Sequence, residues 1–139
     1  MQLTVSKTAL LVIDVMNTFE HKDADALATS VARIVDPLAR LISRARDRDD
    51  VDVIYVNDTY GDFTADFEDI VRAALNGKRS DLVSPVAPAD DSLRVLKVRH
   101  SAFYASSLAY LLRRLETERL IITGQVTEQC ILYSALDAY

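Results

Sequence analysis

Three side chains able to share one reaction fall at the ends of apolar runs in this chain: the carboxylate of Asp14, the amine of Lys97 and the thiol of Cys130. Asp14 closes the run Ala9-Leu10-Leu11-Val12-Ile13. Lys97 stands near the end of the run 93–98, and Cys130 follows Leu120-Ile121-Ile122 and Gly124. A further carboxylate, Asp58, sits beside Asn57 just past the run 51–56. Acid, amine and thiol in one place make a nucleophilic site. The thiolate attacks an electrophilic carbon, the carboxylate takes the thiol proton and hands it to the leaving group, and the ammonium favours the thiolate. Each residue alone has a plainer reading: a carboxylate at a strand end caps a helix or loop, a lysine is a solvated charge, a cysteine in an apolar helix is packing. Their independent arrival at one edge favours chemistry. Cys130 is expected in the first turn of the helix after Gly124, where unpaired N–H groups and the helix dipole favour the thiolate. The same N–H groups suit an oxyanion hole. The thiol should therefore ionise and alkylate more readily than an ordinary cysteine, with an ionised Asp14 opposing.

Short apolar runs alternate with helical periodicity along the chain. The runs 9–13, 51–56, 93–98 and 120–122 read as strands, the first unbroken as in strands covered on both faces. Residues 23–48 carry helical spacing at Leu27, Val31, Ile34, Leu38, Leu41 and Ile42, with a restart expected at Pro37 and Asp36 as its cap. Residues 63–76 form a weaker helix closed by Gly77, and 84–91, with Pro85 and Pro88, a loop. Ser101 is expected to cap a helix over 102–116, and the pattern is helical again from Glu128. Strand–helix alternation calls for an α/β fold with a parallel sheet and right-handed crossovers. Ligands then bind beyond the carboxyl ends of the strands, where the three residues lie. The 139 residues suit a single domain, 1–139. A net charge of −5 without a basic patch disfavours nucleic acid and anionic membranes. No apolar run reaches the roughly 20 residues of a membrane span, and no signal peptide is visible. One cysteine excludes a disulfide framework and points to a cytoplasmic setting.

The stretches Ala9-Leu10-Leu11-Val12-Ile13-Asp14, Leu96-Lys97-Val98-Arg99-His100-Ser101-Ala102-Phe103 and Ile122-Thr123-Gly124-Gln125-Val126-Thr127-Glu128-Gln129-Cys130, running on to Tyr139, resemble the isochorismatase-like cysteine hydrolases. That superfamily includes nicotinamidases and N-carbamoyl amidohydrolases. The resemblance implies a three-layer α/β/α Rossmann-like fold with strand order third, second, first, fourth. It implies an Asp14–Lys97–Cys130 triad and a cis peptide at Gln125–Val126, with the amides of Val126 and Cys130 as oxyanion donors. It also implies a small-molecule substrate, no cofactor and a homo-oligomer. Candidate pocket residues are Phe19, Asn57, Asp58, Tyr60, Phe63 and Phe103. Relatives continue with two more strands and a helix, so the sequence reads as truncated at its C-terminus, with the fourth strand an exposed edge.

Departures narrow the reading. Met16 stands where a glutamine is common, and Glu128 where Asp or Asn is. Asn57-Asp58-Thr59-Tyr60 lacks the histidine of the nicotinamidase metal cluster, which disfavours that activity and any metal. Cys130 favours C–N hydrolysis through a thioester over isochorismatase-type vinyl-ether hydrolysis. A papain-like pairing of Cys130 with His100 is a rival, His21 reads as loop surface, and the spacing of one Cys and two His is not a zinc site. Tyr55, Tyr60, Phe63 and Phe67 either wall a pocket or pack a helix on the sheet. A binding protein or thiol redox sensor on the same fold would need no intact triad.

Overall fold

The computed structural model describes residues 7–139. Its centre is β1 (Thr8–Ile13), whose six residues are all buried. Parallel partners flank it: β2 (Val51–Asp58) on one side and β4 (Arg119–Gly124) on the other, with β3 (Leu93–Lys97) outside β2. The order β3-β2-β1-β4 is the one the resemblance implies. A strand with neighbours on both edges and helices on both faces has no wet side, hence its unbroken apolar sequence.

Alternate residues of the strands feed two cores. Leu10, Val12 and Tyr55 join Leu38 and Ile42 of α2 (Val35–Arg46), Ala28 and Val31 of α1 (Ala24–Ala32), and Phe67, Ile70 and Val71 of α3 (Phe67–Leu75). Leu82 and Val83 of the short α4 (Ser80–Val83) close that layer. Ala9, Leu11, Ile13, Ile54, Val56 and Val95 face Leu108 of α5 (Leu108–Arg114), Leu115 and Ile131, just ahead of α6 (Leu132–Ala138). Tyr55 and Phe67 therefore pack rather than wall a pocket. The Tyr55 hydroxyl donates to the Val86 carbonyl at 2.8 Å. Among the described residues no helix is long and apolar enough to cross a membrane.

Three local expectations need correction. The 23–48 segment breaks at Arg33-Ile34, not Pro37, and Ile34 rather than Asp36 precedes α2. Pro37 sits in the first turn, where its missing N–H had no helical partner to lose. The helix after β3 starts at Leu108, not Ala102. Ser101 accepts from the Phe103 N–H at 3.1 Å, so its hydroxyl makes a tight local turn instead of a helix cap. The helical start of 63–76 is later too, because Asp66 and Asp69 form a reciprocal capping box at the head of α3.

Candidate active site

The carboxyl ends of all four strands contribute to one rim. At the end of β1, Asp14 adopts a left-handed backbone, φ 54°, which turns its side chain across the tip of β2. Its N–H donates to the Val56 carbonyl at 2.9 Å, and its Oδ1 accepts from the Asp58 N–H at 2.8 Å. Asp and Asn tolerate this region better than most side chains, yet the conformation persists because its neighbours over-determine it.

Lys97 comes from the end of β3 and is 0% exposed. Its Nζ lies 2.9 Å from Asp14 Oδ2, 3.5 Å from Asp58 Oδ2 and 3.5 Å from Cys130 Sγ. Burial alone would lower its pKa. The Asp14 charge and hydrogen bond, with contributions from Cys130 and Asp58, outweigh that and hold the ammonium above its ordinary value. It is a fixed cation.

Gly124 ends β4 at φ 125°, so close to β1 that a Cβ there would lie 1.9 Å from the Ile13 carbonyl oxygen. Only glycine allows this approach. It sets Gln125 against Asp14, and the Gln125–Val126 peptide is cis. Cys130 follows in a π-helical turn, Thr127–Ile131, rather than in an α-helix. The Val126 carbonyl accepts from both Gln129 and Ile131, each at 3.2 Å. The buried Ser134 hydroxyl donates to the Cys130 carbonyl and accepts from the Ala102 N–H at 2.8 Å, tying the cysteine's turn to the loop after β3.

The expected easy ionisation of Cys130 is overturned: its thiol is pushed up to about 11. Burial is the largest cause, followed by the hydrogen bond to Asp14 and the Asp14 charge; Lys97 pulls the other way and loses. The sequence reading weighted helix start and lysine, but the half-buried position and the adjacent carboxylate dominate. The resting thiol is protonated, with the Lys97 ammonium 3.5 Å away and Asp14 2.9 Å from that same ammonium.

The candidate pocket residues divide. Asn57 is interior, its Oδ1 accepting from the Met16 N–H at 3.1 Å and its Nδ2 donating to the Asp58 carbonyl at 3.1 Å. Phe19 is also in the core. Asp58 stands behind Lys97. Tyr60 leaves its ring largely exposed while its hydroxyl donates to the Met16 carbonyl at 2.9 Å. Burial of that hydroxyl, with the nearby carboxylates Asp14 and Asp58, raises its pKa. Phe63 is exposed, and Phe103 lines a cleft with Leu112 and Asp137 along α5 and α6. His100 stacks on Tyr133 with centroids 5.7 Å apart, and His21 Nε2 lies 3.4 Å from Asn17 Nδ2, so the polar contact of Cys130 is with Lys97 rather than a histidine. A cleft of about 670 Å³ lies between α1 and the segment 124–129. It borders the cysteine's turn without including Asp14 or Lys97. The sequence reading missed the Gln125 side chain, whose Nε2 donates to the Asp14 carbonyl at 2.7 Å. Its flanking residues, Thr123-Gly124 and Val126-Thr127, carry no signal of that contact.

Comparison with known proteins agrees with this architecture. An uncharacterized isochorismatase family protein of Bacillus subtilis, YaaI, is 37% identical over 131 residues, 94% of this chain and 72% of that protein. A probable inactive nicotinamidase of Arabidopsis thaliana is 29% identical over 94% of this chain and 72% of its own length. The maleamate amidohydrolase of Pseudomonas putida is 30% identical over 95% of this chain and 65% of its own length. The crystal structure of N-carbamoylsarcosine amidase from Thermoplasma acidophilum superposes with a TM-score of 0.69 at 28% identity, covering 95% of this chain and 75% of that one. The model of the Isochorismatase domain matches residues 8–139, and with it the chain belongs to the isochorismatase family.

Proposed function

We propose that this protein is a cysteine hydrolase of small-molecule amides, working through a thioester on Cys130. The observation that carries the reading is the placement of the Lys97 ammonium 2.9 Å from Asp14 and 3.5 Å from Cys130 in a buried site. Amide hydrolysis by the named relatives maleamate amidohydrolase and N-carbamoylsarcosine amidase supports it.

Because the thiol is protonated at rest, proton removal accompanies attack. Asp14 takes the thiol proton as Sγ bonds to the substrate carbonyl carbon, and the oxyanion collects on the amides of Val126 and Cys130. Lys97 offsets the negative charge that moves between Sγ and Asp14. The protonated Asp14 then delivers its proton to the leaving nitrogen as the C–N bond breaks, releasing an amine or ammonia. Water attacks the thioester, Asp14 takes a proton from it, and the thiol is restored as the carboxylic acid departs.

The test is a panel of amides, N-carbamoyl amines and a vinyl-ether substrate, with mass spectrometry for a covalent acyl adduct. The expected result is amide turnover with an adduct on Cys130, abolished in Cys130→Ala. Turnover of the vinyl ether alone, or amide turnover retained by Cys130→Ala, overturns the reading. Failure to turn over any member, as in a relative described as inactive, would favour a binding role.

A further inference from the structure

Gln125 is hard to explain as packing. Its side chain is 7% exposed, and its Oε1 is buried without a partner among the described residues. The orientation of the amide is settled by its neighbour. The Asp14 carbonyl can only accept, so a reversed amide would set two acceptors 2.7 Å apart. An unsatisfied buried acceptor is costly, so packing alone does not account for a side chain that carries one. The amide gains, in return, a hold on Asp14. Other bonds to Asp14 come from β2 and β3: the Val56 carbonyl, the Asp58 N–H and the Lys97 ammonium. The Gln125 bond instead reaches it from the segment that leads into Cys130 and fixes the carbonyl of a left-handed residue.

We propose that Gln125 is a positioning residue, whose side-chain amide locks Asp14 so that its carboxylate stays beside the Cys130 thiol. The inference rests on the reading of Asp14 and Cys130 as acid–base group and nucleophile, and goes beyond it.

The test uses the full chain with Gln125→Met and Gln125→Glu, and three readouts: Tm, the pH profile of Cys130 alkylation by iodoacetamide, and turnover of an amide that the parent accepts. The groups facing the thiol are Asp14 and Lys97, with Asp58 behind Lys97 and the Tyr60 hydroxyl nearby. Gln125→Met exchanges the orphaned Oε1 for an unpaired Asp14 carbonyl, so Tm should change little, while the alkylation profile moves to lower pH as Asp14 drifts from the thiol and turnover falls by about 10- to 100-fold. Gln125→Glu places an acceptor against the Asp14 carbonyl, so Tm should fall while the profile moves the same way. An unmoved alkylation profile in both variants overturns the inference, as does a Gln125→Met chain that unfolds, because the residue would then be packing. Alkylation needs no substrate. A shifted profile in a protein that hydrolyses no amide would retain Gln125's role and refute the proposed reaction, and amide turnover with an unmoved profile would do the reverse.

Discussion

Replacing Asp14 by asparagine should speed one reaction of Cys130 and stop another. The thiol stands at about 11 against an ordinary 9.0, so at pH 8 roughly one molecule in a thousand carries thiolate instead of about one in ten. Burial, the largest cause, is untouched by this nearly isosteric change; the Asp14 bond and charge come next and are both removed. With half of the gap assigned to Asp14, the thiolate fraction at pH 8 rises about tenfold. A less basic thiolate is about threefold less nucleophilic, which leaves a net gain of about threefold in alkylation rate. Iodoacetamide under pseudo-first-order conditions reads this directly, since Cys130 is the chain's one cysteine. Amide hydrolysis should meanwhile drop by about 10²- to 10⁴-fold, as proton transfer to the leaving nitrogen is lost. Slower alkylation in Asp14→Asn would refute the reasoning, because the carboxylate would then be assisting thiolate formation at rest.

Lys97→Ala leaves two carboxylates facing each other without their buried cation, and should lose about 3–5 kcal/mol of stability in urea titration while Cys130 alkylates more slowly than in the parent. Stability should fall as pH rises from 9 to 11. In that window the folded thiol keeps a proton that the unfolded one has lost, and urea titrations of Cys130→Ala should show a flatter profile. The raised Lys97 adds to the same alkaline loss above its ordinary value of 10.5. Gly124→Ala pushes a methyl into the Ile13 backbone at a φ that L residues avoid, and should lose about 4 kcal/mol or more, seen as loss of cooperative thermal unfolding.

The sheet was legible because its signals are local and redundant. An unbroken apolar β1, β-branched runs closed by polar residues, and strand–helix alternation all point to one architecture. The convergence of Asp14, Lys97 and Cys130 follows from strand ends alone, whereas the order of the strands came with the family resemblance. What escaped depends on contacts and burial that residue type and spacing do not announce. Ser101 looks like a helix cap until its hydroxyl is seen to turn onto Phe103, and α5 waits until Leu108. The titration of Cys130 turned on burial, which no residue type announces, and on an acid 2.9 Å from the same ammonium that was expected to activate it. The Gln125 amide is silent in the sequence because its partner is a backbone carbonyl 111 residues away.

That separation also governs how the molecule is made. The central strand β1 emerges before β2, β3 and β4 during synthesis, and β2 can cover one of its edges after a modest loop. The other edge stays bare until β4 is made, since Leu11 and Thr123 must meet across 112 residues. Closing such a loop precedes any reward from the contacts it brings, so this pairing is the slow, high-contact-order event of folding. Until it happens the nascent chain carries an apolar strand with an open edge, the kind of surface that chaperones shield. The acid and the thiol arrive on opposite sides of that event. A partly folded chain therefore holds the Asp14 carboxylate without the Cys130 thiol, and the rim is assembled only when the sheet closes.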